Sequence, residues 1–467
     1  MKNYTMLEEL TLKHIDIGDH NLQLPASITN IDLDHVTVSG GVSLENCTML
    51  VKLTLKHIDI GDHNLQLPSS IISIDLDHVT VRGGVSMENC TMLEGLRFVY
   101  VDIGDHNLQL PSSITYIDFD HVTVRGGISL ENCTMLDELT LEHVDLGNHN
   151  LQLPTSIISI TLDNVIVRGG VSMENCTHLW RLIMKHVDIG DHNLQLPSSI
   201  TSIDLHHVTV RGGVSLENCT RLQEFSGKHV DIGNNKLQLP ASIISIDLDH
   251  VTMSGGVSLK NCTRLKKLTL NHVDIDHDLQ LPASIIIIVL DHVSVSGGVT
   301  LENCTRLKEL ILKHIDIGDH NMQLPASITS IDLDHVTVRG GVSMENYTML
   351  ELLTLKHVDI GDHNLQLPTS IRMIKLHHVT MSGGVSLENS TRLEKITLKH
   401  VDLKDNTLHL PASIRFINFD NVIVTGGISF QECKKIYILE LKDVKYGDHD
   451  LAIPAKILSK QVRNVSK

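Results

Sequence analysis

The chain is poor in aromatic residues and has no long apolar stretch. Only 3% of its 467 residues are Phe, Trp or Tyr, and there is one tryptophan. No run of about 18 uncharged apolar residues occurs, which is the length that a membrane-spanning helix needs. The opening segment, residues 1–12, is polar and lacks the apolar stretch of a secretory signal. The sequence therefore predicts no membrane contact and a cytoplasmic location.

Basic residues are also in deficit. The chain has 38 Lys and Arg against 56 Asp and Glu, which gives a formal net charge of −18. Nucleic acids and anionic membranes are bound by basic surfaces. The composition therefore disfavours both of these ligands, and it favours a partner with a basic or neutral surface.

The cysteines all belong to one class. Each occupies the same phase of an internal repeat, at Cys47, Cys90, Cys133, Cys176, Cys219, Cys262, Cys304 and Cys433. If one repeat makes two coils, neighbouring cysteines lie roughly 10 Å apart, beyond the roughly 7 Å limit for a disulfide. We expect reduced, buried thiols that act as small core side chains rather than as metal or redox groups.

A 43-residue unit recurs along the chain with an almost unchanged amino-acid sequence. Units begin at Tyr4, Cys47, Cys90, Cys133, Cys176, Cys219, Cys262, Cys304, Tyr347 and Ser390, and a degraded copy begins at Cys433. Self-similarity at a fixed period of this size is typical of a solenoid. The sequence predicts one solenoid over residues 1–467, with ten units in 4–432 and a degenerate C-terminal capping unit in 433–467.

Each unit contains two similar coils. In the first unit the apolar pattern L-x-x-L-x-L appears as Leu7-Leu10-Leu12 and again as Ile28-Ile31-Leu33. Alternation of apolar and polar residues is the period of a half-buried strand. The pattern resembles the leucine-rich repeat family over essentially the whole chain. The resemblance implies a β-rich, curved stack with a parallel inner sheet and loops on the outer side. The alternative architecture is a parallel β-helix, which also stacks short apolar coils.

The polar residues of each strand form columns along such a stack. One column reads Lys13, Asp34, Lys56, Asp77, Val99, Asp120, Glu142, Asp163, Lys185 and His206, which we interpret as alternating charges that avoid repulsion. Beside it runs a column of seventeen histidines that begins at His14 and His35. Because a straight ladder offers at most two neighbours to one ion and zinc needs three or four ligands, we predict no metal site in it. Recurring acids such as Asp16 and Asp19 give only a weak calcium signal, because no calcium loop with alternate acids appears. No cofactor is predicted.

Departures from the repeat are the candidates for individual function. Aromatic and arginine residues, which dominate the energetics of binding surfaces, replace the usual residues in coils five to nine. The candidate partner-binding residues are Arg97, Tyr100, Tyr116, Trp180 and Arg181.

These observations favour a non-enzymatic scaffold that binds a protein partner on the concave sheet. The leucine-rich-repeat resemblance extends this to the sensing part of an innate-immune-type receptor. The alternative is a structural or self-assembling rod, which the monotony of the units favours. We also expect self-association, because few residues precede Leu7 and the segment Tyr4 to Ile17 would be an uncapped coil. An enzyme is the weakest class, since no unique catalytic constellation stands out.

Overall fold

The structure of the protein is a computed structural model. It describes residues 6–18, 22–38, 42–146, 150–233, 237–253, 257–275, 279–295, 299–301, 303–316, 324–337, 344, 346–361, 365–381, 383–387, 389–404, 406–447, 451, 453–454 and 457–466. The chain divides into two compact units. Unit 1 comprises Met1–Pro240 and Val251–Gly255, and unit 2 comprises Ala241–His250 and Gly256–Lys467. The prediction of a single solenoid domain stays a prediction.

A long ladder of parallel strands runs through each unit, with one strand from each coil. In unit 1 these strands are Glu9–Lys13, Asn30–Asp34, Lys52–Gly61, Ser73–Val81, Gly95–Asp102, Tyr116–Asp120, Glu138–Glu142, Ser159–Asp163, Arg181–Lys185, Ser202–His206 and Glu224–Lys228. In unit 2 they are Ser245–Asp249, Lys267–Asn271, Ile287–Asp291, Glu309–Lys313, Ser330–Asp334, Leu352–Lys356, Met373–His377, Lys395–Asp402, Phe416–Val424, Ile438–Tyr446 and Ser459–Arg463.

Short strands extend the pairing around the coil. In unit 1 they are Asp16–Gly18, Thr37–Val38, Leu65–Gln66, Val85–Ser86, Leu108–Gln109, Ile128–Ser129, Leu151–Gln152, Val171–Ser172, Asp188–Gly190, Leu194–Gln195, Thr209–Val210, Val214–Ser215 and Leu237–Gln238. In unit 2 they are Val257–Ser258, Asp274–Ile275, Leu279–Gln280, Ser294–Val295, Val299–Thr300, Asp359–Gly361, Leu365–Gln366, Thr380–Met381, Val385–Ser386, Leu408–His409 and Ile428–Ser429. In the part of the chain that the structure describes, no helix has the length and apolarity that a membrane crossing requires.

The alternating pattern builds the ladder as predicted. Leu53 and Leu55 point into the coil and are fully buried, while Lys52 and Lys56 remain at the surface. Because side chains alternate across a strand, each strand offers one apolar face to the core and one polar face to solvent. The predicted β-rich solenoid with a parallel sheet is therefore confirmed. The buried leucine column is interrupted at Gly227, which occupies the place of a leucine opposite Leu205.

A left-handed residue recurs once in nearly every coil, either directly after the ladder strand, as at His35, or within a longer strand, as at His57. His35 and His57 have φ of 52° and 51°, and the same conformation recurs down the histidine column. The same left-handed position is occupied by asparagine at Asn164 and by tyrosine at Tyr100. A left-handed φ costs a side chain about 1–2 kcal/mol, so these positions are fixed by the turn that the coil requires.

Polar side chains bind consecutive coils together. The Ser70 hydroxyl donates to the Leu50 carbonyl at 2.8 Å, and equivalent serines of the P-x-S-I motif repeat this bond in other coils. Glycine pairs permit close approach between coils. A Cβ at Gly83 would stand 2.3 Å from the His63 carbonyl carbon. The equivalent pair Gly40-Gly41 lies outside the described residues, as do Tyr4, Asp19 and 276–278.

The cysteines are buried, as predicted. Cys133 and Cys176 are buried thiols, and desolvation raises the pKa of each to about 11. Each sits in a tight turn, where the Cys133 amide donates to the Leu130 carbonyl at 3.0 Å. A thiol with such a raised pKa is a poor nucleophile at neutral pH, which agrees with the predicted packing role.

Candidate functional site

The open face of the unit 1 sheet brings two of the five candidate residues together. Arg97 extends between Asp75 and Asp118, with nitrogen to oxygen distances of 3.3 and 3.5 Å. The Tyr116 hydroxyl donates to the second of these carboxylates at 3.0 Å. Burial and then this hydrogen bond raise the pKa of Tyr116 to about 12. Arg97 and Tyr116 therefore form one cluster, joined by their shared contact with Asp118.

Tyr100, a predicted partner-binding residue, packs against neighbouring rings of its own chain. It takes a position in the histidine column, where its ring stacks between His78 and His121 with centroid distances of 4.5 and 4.3 Å. The side chain is nevertheless 47% exposed. Tyr100 thus continues the ladder, and it is the one tyrosine among the left-handed residues of the described chain.

Trp180 and Arg181 form a second exposed position. Trp180 is 47% exposed and immediately precedes the strand Arg181–Lys185. Two strands, Glu138–Glu142 and Ser159–Asp163, separate this strand from the strand of Tyr116. The five candidates therefore lie at three places in unit 1: Arg97 with Tyr116, Tyr100 in the histidine column, and Trp180 with Arg181.

The charge column has the predicted register. Lys13, Asp34 and Lys56 are paired on adjacent strands, and Lys185 approaches Asp163 to 3.9 Å. The alternation of sign, however, is not continuous, because Asp120, Glu142 and Asp163 are consecutive in this column. A ladder built only to avoid repulsion would not contain this run. The interpretation of alternating charge is therefore wrong for this part of unit 1.

The histidine ladder has a geometry that the sequence did not reveal. Imidazole rings of successive coils stack, with the centroids of His121 and His143 separated by 4.0 Å. A carboxylate reaches between them, since Asp120 Oδ1 lies 2.6 Å from His121 Nδ1 and 3.2 Å from His143 Nδ1. The premise that a ladder offers only two neighbours to an ion is thus corrected, because two imidazoles and one carboxylate converge.

The recurring acids of the D-x-G motif have a local role. The Asp59 carboxylate accepts a 2.8 Å hydrogen bond from the Gly61 amide, and Asp188 and Gly190 repeat this contact. The same bond joins Asp16 to Gly18. A carboxylate that closes its own turn in this way needs no calcium ion to explain its recurrence.

A groove on unit 2 was missed by the sequence reasoning. It has a volume of about 460 Å³ and is lined by Glu351, Leu352, Arg372, Met373, Glu394, Lys395 and Phe416. Arg372 Nη2 donates to Glu394 Oε1 at 2.9 Å, and this bond raises the pKa of the guanidinium.

Two more aromatic and cationic side chains lie beside the groove. The Phe416 and Tyr437 rings meet edge to face at 6.1 Å, and the Arg415 guanidinium lies 5.7 Å from the Tyr437 ring centre. The signal was available, because Arg372 and Arg415 replace the repeat background in the same column as Trp180.

Comparisons with known proteins give similarities of fold only. No protein-family model matches the chain, and no curated protein matches it. Among solved structures it is similar to YopM from Yersinia enterocolitica WA-314, with 12% identity over 98% of this chain and 89% of that chain and a TM-score of 0.47. The circular LRR protein CroV588 has 15% identity over 95% and 71% of the two chains and a TM-score of 0.46. The Leptospira interrogans LRR protein LIC12759 has 13% identity over 76% and 91%, with a TM-score of 0.41. These similarities say nothing about function.

Proposed function

We propose that the chain is a non-enzymatic protein-binding scaffold that contacts its partner through the open face of its parallel sheet. The supporting observation is the contrast between the two faces of each strand. The inward column is apolar and buried in nearly every described coil, whereas the outward residues change from coil to coil and include the exposed Trp180. A rigid core with a variable outer row is the arrangement that a recognition surface requires.

The composition of this face indicates the class of partner. Trp180 and Arg181 supply the anchor types that contribute most to interfaces. Acidic side chains such as Asp75 and Asp118 surround Arg97, and the whole chain carries a net charge of −18. The proposed partner is therefore a protein with a neutral or basic surface that offers an apolar pocket to Trp180.

The test is site-directed photo-cross-linking in the full chain. A photoreactive amino acid at position 180 is compared with the same amino acid at position 266, because Lys266 is an exposed residue in the same column of unit 2. We expect a stoichiometric cross-linked protein at position 180 only. A purified partner should also shift the fluorescence of Trp180, which is the one tryptophan of the chain.

Paired substitutions then separate binding from folding. Trp180→Ala with Arg181→Ala should weaken binding about tenfold or more, as expected for hot-spot residues. The control is Gln223→Ala with Glu224→Ala, which changes the corresponding exposed pair two coils further on. Equal binding by both double variants would overturn the placement of the interface.

A self-assembling rod is the second candidate function. The first coil is less covered than the next one, since Leu7 and Leu12 are partly exposed while Ile28 and Leu33 are fully buried. Ile15 is 41% exposed. Self-association through this coil should appear in sedimentation at high concentration and should decrease with Thr11→Lys, whereas a foreign partner would leave the chain monomeric.

We further propose a sensing role of the innate-immune type and a cytoplasmic location. The leucine-rich-repeat resemblance supports a sensing role of the innate-immune type. The buried, regularly spaced cysteines support a cytoplasmic location, because thiols persist in reducing compartments. Localisation of a tagged full-length protein in cells tests the second statement directly.

A further inference from the structure

We propose that Asp120, His121 and His143 bind one divalent transition-metal ion, of the zinc, copper or nickel class. Imidazole nitrogen with a carboxylate oxygen is a donor set that such ions accept. The ligand atoms of these three residues all lie within 4.8 Å of one another. The site belongs to unit 1 and lies beside the Arg97 and Tyr116 cluster.

The backbone fixes the three ligands before any ion arrives. Both histidines adopt the left-handed conformation, with φ of 53° and 51°. The His121 amide donates to the Glu142 carbonyl at 2.9 Å, and the His143 amide donates to the Asp163 carbonyl at 2.9 Å. On the other side, Tyr100 stacks on His121 at 4.3 Å. The imidazoles are therefore held side by side, with the Asp120 carboxylate between their Nδ1 atoms.

The present contacts can convert to metal ligation with small movements. Asp120 Oδ1 now lies at hydrogen-bond distance from both Nδ1 atoms, at 2.6 and 3.2 Å. Ligand bonds of roughly 2.0–2.2 Å place ligand atoms about 3.3 Å apart in a tetrahedron. A neutral imidazole that binds through Nδ1 carries its proton on Nε2, so ligation requires a change of tautomer but no net loss of a proton. Solvent can supply the fourth ligand, because all three side chains are partly exposed.

The charge next to the carboxylate distinguishes this step of the ladder from the steps at Asp34, Asp291 and Asp334. Asp34 is flanked in register by Lys13 and Lys56, and Asp334 is flanked by Lys313 and Lys356. In the second case the Lys356 ammonium approaches the carboxylate to 3.9 Å. A lysine in this position competes with a cation for the carboxylate and repels it.

At Asp120 both lysines are replaced. Its register neighbours are Val99 and Glu142. At Asp291, which also lies close to two histidines, the neighbours are Asn271 and Lys313. The register neighbours of Asp120 are therefore two charges more negative than those of Asp291. The acidic run Asp120, Glu142 and Asp163 interrupts the alternation of the charge column. We infer that its negative charge favours cation binding at Asp120, His121 and His143.

The experiment is a zinc titration of the full chain after chelator treatment, in competition with a chromophoric zinc indicator at neutral pH. We expect one equivalent of Zn²⁺ to bind more tightly than the remaining ladder. His121→Asn and His143→Asn should each weaken this equivalent about tenfold or more. Asparagine suits the test because Asn164 adopts the same left-handed conformation in the same column. Cobalt absorption in the visible range gives a second readout of imidazole and carboxylate ligation.

Two further variants keep the test independent of folding. Glu142→Lys leaves all three ligands in place but gives Asp120 a lysine neighbour, and it should also weaken the tight equivalent. His335→Asn removes a ladder histidine next to the lysine-flanked Asp334 and should leave the tight equivalent unchanged. An equal loss in His335→Asn and His121→Asn would overturn the proposal. Absence of any tight equivalent would do the same.

Discussion

Asp120 and Glu142 occupy paired positions on neighbouring parallel strands, so that two carboxylates stand side by side on the open face of unit 1. Asp163 continues the row on the next strand. Like charges directly opposite each other on a sheet are destabilising. The unliganded chain therefore carries an electrostatic cost at the position where we place a cation.

The first prediction measures this cost. Without added metal ions, Glu142→Lys should raise the free energy of unfolding by about 0.2–1 kcal/mol, because a lysine between two carboxylates replaces repulsion by attraction. The control is Glu138→Lys, whose register neighbours Tyr116 and Ser159 carry no charge at neutral pH. Denaturant unfolding at low and high salt checks the result. A similar gain in both variants would show that only the net charge of the chain matters.

The second prediction concerns the cysteine column at Ser390. This serine takes the place of a cysteine, is 0% exposed, and its Oγ has no hydrogen-bond partner among the described residues. Burying an unsatisfied hydroxyl costs about 1–3 kcal/mol, whereas a thiol is buried at little cost. Ser390→Cys should therefore stabilise the protein by about 1–3 kcal/mol, measured by denaturant unfolding in the presence of reductant.

The reverse substitution is the matched control for Ser390. Cys304 is fully buried in the same column, and burial raises the pKa of its thiol to about 11. Cys304→Ser should lower the free energy of unfolding by a similar amount. If neither substitution changes the free energy of unfolding, solvent reaches this column and hydrates the Ser390 hydroxyl.

The third prediction concerns Gly227. It occupies a buried strand position opposite Leu205, two residues after the buried Phe225. Gly227→Leu should stabilise the protein by up to about 2 kcal/mol, because it restores a core side chain that other coils possess. Gly95→Leu is the control, since a Cβ at Gly95 would face outward, 4.0 Å from Ser73 and Tyr116. A lower melting temperature for Gly227→Leu would mean that Phe225 already fills the space.

The fourth prediction concerns pH. His206 and His377 replace aspartate in the charge column, and each lies between two lysines in register. Burial, followed by the neighbouring lysines, lowers the pKa of both imidazoles below the ordinary value of 6.5. The folded state therefore binds fewer protons than the unfolded state, and stability is lost as the pH falls below about 6.5.

Substitution of both histidines by the usual aspartate tests this sign. We expect the melting temperature of the native chain to fall between pH 7.5 and pH 5.5, by more than that of the His206→Asp, His377→Asp variant. Aspartate is ionised over this range, so it adds no proton uptake. An equal fall in both proteins would assign the acid sensitivity to the ladder histidines.

The repeated parts of the fold were predictable from the sequence. The L-x-x-L-x-L period identified the strands, and the constant phase of the cysteines identified a buried column, as Cys133 and Leu53 show. These features follow from local periodicity, which one sequence displays many times. The register of Asp34 between Lys13 and Lys56 followed from the same period.

The candidate site was less predictable, because it depends on side-chain direction and not only on position. Nothing in the sequence showed that Asp120 Oδ1 would reach both His121 and His143, since this contact depends on the left-handed backbone at both histidines. Nor did it show that Arg97 would be held by two aspartates. The groove at Arg372 was predictable, because it follows from the same departure from the repeat that identified Trp180.

The last prediction asks whether the histidine column is stabilised mainly by residues that tolerate a left-handed backbone or by the stacking of its imidazole rings. His335 has a φ of 53°, and its ring stacks on those of His314 and His357 with centroid distances of 4.8 and 4.1 Å. If the backbone conformation dominates, His335→Asn should change the free energy of unfolding by only a few tenths of a kcal/mol, because asparagine tolerates this conformation. His335→Val should cost about 1–2 kcal/mol, since a β-branched side chain does not. The control is His63→Val, where φ is not positive. A large loss in His335→Asn would instead show that the stacked rings, rather than the turns beneath them, hold successive coils together.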